Sequence, residues 1–209
     1  METQLIRREN GIDYVLLTND RLEEALRIQA STMADENIAI GLGMFEESGA
    51  PEEMQLIFRE VVKDGVSIIA LDSDTNEMAG VESKVNIFEK YNVDAMMEMF
   101  YLGTDTKYRG RGIGKILTEC TLKLGKMLQN GEIKKVSMVP DETIVLEAAI
   151  PKVVIAVYTS NYSIRIGEKL NGEFLVNVFY EDFIINGKKM SERIGSNHKR
   201  VALVAYKLL

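Results

Sequence analysis

The sequence has no tryptophan, one cysteine, one histidine and no long apolar run. A lone cysteine excludes an internal disulfide, and a single histidine beside it cannot build a His/Cys metal cluster. With aromatics at 7 % and no tryptophan, there is no obvious aromatic cage for a cation. The longest aliphatic stretch, Val153 to Val157, is far too short to span a bilayer. The opening residues, Met-Glu-Thr-Gln, carry no apolar h-region, so the expected compartment is the cytoplasm, with no membrane partner.

What is present is an ordinary globular balance over 209 residues, 46 % hydrophobic and 27 % charged, which suits one domain spanning 1–209. The net charge of −7 is unevenly placed: residues 1–60 hold 13 acids and 5 bases, residues 61–209 hold 19 and 20. That distribution argues against nucleic acid, which wants a broad basic face. An acidic N-terminal third suits a cationic small substrate, or else simply solvates exposed helix faces.

Periodicity gives an alternation of helices and strands. Residues 13–17 read as a short first strand with 3–8 as its lead-in. Helical spacing runs from Asp20 to Met33, followed by the polar break Ala34-Asp35-Glu36-Asn37. Pro51 suits the first turn of a helix ending near Gly65, and Val66 to Leu71 and Met78 to Val85 read as a hairpin about a turn at 72–76. Ala95 to Thr104, Lys152 to Tyr158, Phe174 to Tyr180 and Val201 to Leu208 read as further strands, with a helix over Asn161 to Leu170 stopped by Asn171-Gly172. A long polar loop, Asn186 to Lys199, holds the histidine, His198, which has no carboxylate near it in sequence and reads as a surface residue. The expected class is α/β with a mixed sheet.

The most informative stretch is YLGTDTKYRGRGIGKILTECTLKLGKML, residues 101–128: a strand, a basic glycine loop and a long amphipathic helix. Gly110, Gly112 and Gly114 permit positive φ and close backbone approach. The first N–H groups of the helix, with the positive end of its dipole, favour an anion. Lys107, Arg109, Arg111 and Lys115 add charge, so a diphosphate is the expected ligand. A P-loop does not fit, because Gly114-Lys115 is followed by Ile116 where Ser or Thr is needed. A Rossmann fingerprint fits poorly too, since the spacing is G-x-G-x-G and lies mid-chain. Ile113, Ile116, Leu117, Cys120, Leu124, Met127 and Leu128 make one apolar stripe, so Cys120 reads as a packed core thiol.

Arg109, Gly112 and Gly114 match the Arg/Gln-x-x-Gly-x-Gly/Ala element, and the chain resembles the GCN5-related N-acetyltransferases over nearly its whole length. The resemblance implies a mostly antiparallel central sheet with two splayed strands and flanking helices. It implies acetyl-CoA as cosubstrate, no metal, and a monomer or weak dimer. The pyrophosphate would lie on Arg109, Gly110, Arg111, Gly112, Ile113, Gly114 and Lys115. The strand before the loop, at Leu102 and Thr104, would carry the pantetheine arm, with Asn161 as a further cofactor contact.

Two segments are similar to insect-type arylalkylamine N-acetyltransferases. Ala34-Asp35-Glu36-Asn37 looks like their D-E-P-L segment, whose glutamate is regarded as the general base; that role would fall on Glu36, with Asn37 and Ile38 replacing proline and leucine. Glu98, on the strand before the loop, is the second choice for a base. The turn from Tyr158 to Leu170 looks like that subfamily's hydroxyl-rich turn, which puts its two functional hydroxyls on Thr159 and Ser163. The same residues are equally the helix caps that Ser, Thr and Asn routinely provide. Many acetyltransferases place a tyrosine acid where Gly167 stands, so Ser163 or Tyr162 would have to replace it. The expected acceptor is a small primary amine, an arylalkylamine such as dopamine, tryptamine or serotonin, or a polyamine or agmatine. Met33, Met44, Phe45 and Phe58 are available to line its pocket. The rival readings are a non-catalytic acyl-CoA sensor and a protein N-acetyltransferase.

Overall fold

A computed structural model describes residues 4–46, 49–73, 78–85, 93, 95–134 and 150–208. The turn expected at 72–76 lies mostly outside them. The elements in order are β1 (Leu5–Glu9), β2 (Ile12–Leu16), α1 (Leu22–Met33), α2 (Asn37–Leu42), α3 (Ala50–Val61), β3 (Ile68–Asp72), β4 (Met78–Val85) and β5 (Met96–Thr104). After these come α4 (Ile113–Gln129), β6 (Val153–Tyr158), α5 (Asn161–Lys169), β7 (Glu173–Phe179), β8 (Ile184–Ile185), β9 (Lys188–Lys189), α6 (Met190–Ile194) and β10 (Arg200–Lys207).

Eight strands form one sheet in the order β1-β2-β3-β4-β5-β6-β10-β7, and β8 and β9 make a separate small hairpin. Within the large sheet only β5 and β6 run parallel; the other neighbours are antiparallel. Where one first strand with a lead-in was expected, the chain makes two. Asn10 and Gly11 both take positive φ, 53° and 73°, the two-residue turn that matches the twist of paired strands.

The helices take opposite faces of the sheet. Tyr101 and Leu102 are successive residues of β5 and so point opposite ways. The Tyr101 hydroxyl bonds Thr32 of α1, while Leu102 lies against Gly114 of α4, whose ideal Cβ would come 3.8 Å from Leu102 Cδ2. The stripe expected on α4 is buried from Ile113 to Leu124, with Leu117, Cys120 and Leu124 fully so, and is half-buried at Met127 and Leu128. Burying each such leucine contributes about 1.5–3 kcal/mol. Cys120 is a core thiol, as its place in the stripe requires.

The feature that positions the site is the end of the β5–β6 pairing. It runs from Met96↔Val153 to Met99↔Ala156 and stops there, although β5 continues to Thr104 and β6 to Tyr158. At the same point β4 pairs Lys84 with Met99 and Ser83 with Tyr101, leaving Phe100 as an extra, bulged residue. The two strands therefore separate into a V with its closed end at Met99 and Ala156.

Candidate active site

The loop after β5 reaches α4 through backbone that only glycine takes readily. Arg109 is extended, Gly110 has φ 81°, and Gly112 is the left-handed N-cap of α4 with φ 77°. Nothing lies within 4 Å of an ideal Cβ at Gly110 or Gly112, so conformation and not crowding selects glycine, and the space above them is open. No side chain caps α4. Its first N–H groups thus face that space as a site for an anion. The surrounding charges are not all uncommitted. Lys115 Nζ donates to Glu119 Oε1 at 2.6 Å, and Arg109 Nη2 donates to Asp35 Oδ2 at 2.8 Å. Arg111 and Lys107 flank the Tyr108 ring, 5.4 and 5.2 Å from its centroid.

The Asp35–Arg109 pair leads across to the α1–α2 junction. α1 closes with Asp35 N–H and Glu36 N–H donating to the carbonyls of Thr32 and Met33, and Glu36 turns extended (φ −79°, ψ 127°) to become the N-cap of α2. Its Oε2 accepts the Ala39 N–H at 3.0 Å, as capping carboxylates do. Its Oε1 is buried and has no partner. Asn37, where the resemblance leads one to expect proline, is 6 % exposed and donates its side-chain amide to the Thr159 carbonyl at 2.8 Å. Thus Asp35 ties to the loop that follows β5, and Asn37 ties to the residue that follows β6. Glu36 is carried between them, across the open end of the V.

On the β6 side, Ser160 and Ser163 form a complete capping box. Ser160 Oγ accepts the Ser163 N–H at 3.1 Å, and Ser163 Oγ accepts the Ser160 N–H at 3.2 Å. The Ser163 hydroxyl is also within 3.1 Å of the Ser160 carbonyl, so its proton has a structural partner. Tyr162 is 70 % exposed and meets His198 edge-on at 5.4 Å. His198 is half-buried and not a free surface residue: its Nδ1 accepts the Asn161 N–H at 3.1 Å. Asn161, expected to touch the cofactor, also donates its amide to the Asn197 carbonyl. At Gly167 an added Cβ would come 2.9 Å from Tyr158 and 3.2 Å from Phe174. The position where many acetyltransferases carry tyrosine is here too crowded for one.

Two tyrosines that sequence reasoning missed lie near Glu36. Tyr180 is buried and donates its hydroxyl to the same Thr159 carbonyl at 2.7 Å. Burial, and then the charge of Glu36, push its pKa well above that of an ordinary phenol. Tyr101 donates to Thr32 Oγ1, which in turn donates to the Ile28 carbonyl at 2.8 Å. Its pKa is pushed up to about 12, mainly by burial. Both hydroxyls therefore stay protonated at neutral pH. Glu98 occupies the closed end of the V, paired in register with Ile155, half-buried, and its pKa is raised by that burial. Of the apolar residues offered for a pocket, Met33 and Phe58 are buried, Phe58 edge-on to Tyr101 at 4.9 Å; Phe45 remains 42 % exposed. Among the described residues no cluster of His, Cys, Asp or Glu could hold a metal, and no helix is long and apolar enough to cross a membrane.

The splayed β5–β6 pair, the bulge at its apex and the glycine loop leading into α4 can be compared with solved structures. Arylalkylamine N-acetyltransferase 2 from Aedes aegypti superimposes with a TM-score of 0.74 over 96 % of this chain and 100 % of that one, at 16 % identity. The fold is that of the GCN5-related N-acetyltransferases. A mosquito arylalkylamine N-acetyltransferase like 5b gives 0.71 over 94 % and 99 %, at 17 % identity. A Drosophila melanogaster polyamine N-acetyltransferase, described as forming N-acetylagmatine, gives 0.65 over 94 % and 99 %, at 14 % identity. No family model and no curated protein matches at the level of sequence. The acetyltransferase fold is thus shared at identities that leave chemistry to be argued from residues.

Proposed function

We propose that this chain is an acetyl-CoA-dependent N-acetyltransferase acting on a small primary amine, with Glu36 as general base. The observation that carries this reading is the Asp35-Glu36-Asn37 bridge, which holds one unpartnered carboxylate oxygen across the open V. The open left-handed glycines and the uncapped start of α4 suit the diphosphate of the cosubstrate, which supplies an acetyl group as a thioester.

An alkylammonium with a pKa near 10 must lose a proton before it can attack a carbonyl. Oε2 of Glu36 is held by Ala39 N–H, which leaves Oε1 to accept that proton, directly or through a water. As the N–C bond forms and the C–S bond breaks, charge passes through the carbonyl oxygen, where backbone N–H groups of the bulged strand provide stabilisation, and on to sulfur. The thiolate then takes a proton; the Ser163 hydroxyl is engaged in its cap and the Tyr180 hydroxyl on the Thr159 carbonyl, so either would have to leave its partner to deliver one.

Glu98 supports a second assignment of the base, because its burial at the apex of the V raises its pKa in the direction a general base needs. The test is acetyl-CoA turnover, followed by thiol release, on tyramine, dopamine, tryptamine, agmatine, putrescine and a lysine peptide, for wild type, Glu36→Gln and Glu98→Gln. Collapse in the first variant with retained CoA binding supports Glu36. Collapse only in the second moves the role to Glu98. CoA binding with no turnover on any acceptor refutes the enzyme reading in favour of a sensor.

A further inference from the structure

The segment between β7 and β10 reads as a polar loop in sequence, yet it is folded and docked. Its two ends meet, with Tyr180 N–H donating to the Lys199 carbonyl at 3.0 Å. Between them lie the β8–β9 hairpin and α6, and α6 packs on α2. The contact is made at bare backbone: an ideal Cβ at Gly41 would fall 2.5 Å from Met190 Cε and 3.0 Å from Ile194 Cδ1.

Arg193 of α6 is the unusual residue here. Its side chain is only 10 % exposed, its Nη1 donates to Glu46 Oε1 at 2.6 Å, and its Nε is buried without a partner. Burying a guanidinium with a donor left over is costly unless its position brings a return. That position is the C-terminal end of α2. Gly43, the left-handed C-cap, lies so close that an ideal Cβ there would be 2.7 Å from Arg193 Nη1. A cation at that end complements the helix dipole.

α2 has six residues, so it is about 9 Å long and too short to be helical without tertiary support. Its N-terminal end is capped by Glu36 and its C-terminal end lies under Arg193. We propose that Arg193 is a positioning residue for the reaction: by clamping the C-terminus of α2 it fixes where the Glu36 carboxylate stands over the V. The proposal rests on the reading of Glu36 as base.

The test compares wild type with Arg193→Met and Arg193→Lys in three measurements: hydrogen exchange of the amides in 36–43, acetyl-CoA affinity, and kcat and KM on whichever amine the wild type turns over. Arg193→Met should speed exchange in 36–43 and lower kcat by about 10- to 100-fold, the scale expected for a misplaced catalytic group, while acetyl-CoA affinity holds. Arg193→Lys, which keeps the charge, should recover most of kcat. Glu46→Gln should give a smaller change of the same kind, and it keeps the question decidable if Arg193→Met does not fold. Unchanged exchange overturns the proposal, as does faster exchange with kcat intact, or a parallel fall in kcat and CoA affinity. If the wild type turns over no amine, the base reading fails on its own, while the exchange data still decide whether Arg193 orders α2.

Discussion

The two arms of the V are built by different means. The β5 arm and the loop after it make their site from backbone: three glycines, an uncapped helix start and a bulge, all within residues 99–114. The β6 arm makes its site from side chains brought in from afar. Asn37 reaches Thr159 across 122 residues of sequence, and Asn161 meets His198 across 37. A backbone site is fixed by its own local sequence and tolerates any neighbour that leaves it open. A side-chain site exists only when the tertiary fold is complete. On the proposed function, cofactor binding and acceptor chemistry should therefore be separable by mutation.

The largest separation is expected for Glu36→Gln. Glutamine keeps a carbonyl oxygen for the Ala39 N–H cap, so the fold should hold while the proposed base is lost. A fall in kcat/KM of about 10²–10⁴ is the usual cost of losing a general base. Acetyl-CoA affinity, measured by calorimetry, should not move. The converse variant is Gly112→Val, which places a β-branched residue at φ 77° with no steric contact to blame. Forcing such a residue into left-handed backbone costs about 1–3 kcal/mol, so CoA affinity should drop by roughly 5- to 150-fold. The amine KM at saturating acetyl-CoA should stay where it was; if it rises in step, the two arms are not independent.

The same contrast explains what could be read from the sequence. The shape of the loop and of α4 was legible because Gly110, Gly112 and the stripe of α4 encode it within a few turns of chain. Resemblance alone singled out Glu36; its tie through Asn37 had no signal, because nothing local says that an asparagine amide will meet the Thr159 carbonyl. Tyr101 and Tyr180 look like any strand tyrosines until burial and the charge of Glu36 act on them. His198 was misread for the same reason, since its partner is a backbone N–H of another element. Two misses did carry local signals. Asn10-Gly11 and Asn186-Gly187, each with both residues at positive φ, are the turn dipeptides of the β1–β2 and β8–β9 hairpins, and an Asn-Gly pair is a strong hairpin signal.

Glu98 allows a test in which stability, not rate, is read. Burial raises its carboxyl pKa above the ordinary value of 4.5, so folding favours the protonated form. Its penalty is therefore absent below about the unfolded value and is fully felt once pH rises above the folded one. Glu98→Gln should raise Tm at pH 7 and change it little at pH 4. A stabilised variant that keeps its turnover would leave Glu98 as a strained bystander beside Glu36. A stabilised variant that loses turnover would be the pattern of a strained catalytic group, and would move the base from the side-chain arm to the backbone arm.

The smallest effect is expected at Ser163, where the resemblance and the geometry point different ways. As a proton donor to the thiolate its loss should slow the reaction by 10-fold or more; as the reciprocal half of a capping box its loss should cost about 1 kcal/mol of stability. For a chain of this length that is roughly 2–4 °C in Tm. The hydrogen bonds favour the second outcome, because Ser163 Oγ accepts the Ser160 N–H and has the Ser160 carbonyl 3.1 Å away for its proton. Ser163→Ala should therefore lower Tm by a few degrees with kcat nearly intact. Should kcat fall with Tm unmoved, the hydroxyl must leave its cap during turnover, and the start of α5 would be a moving part of the site and not its frame.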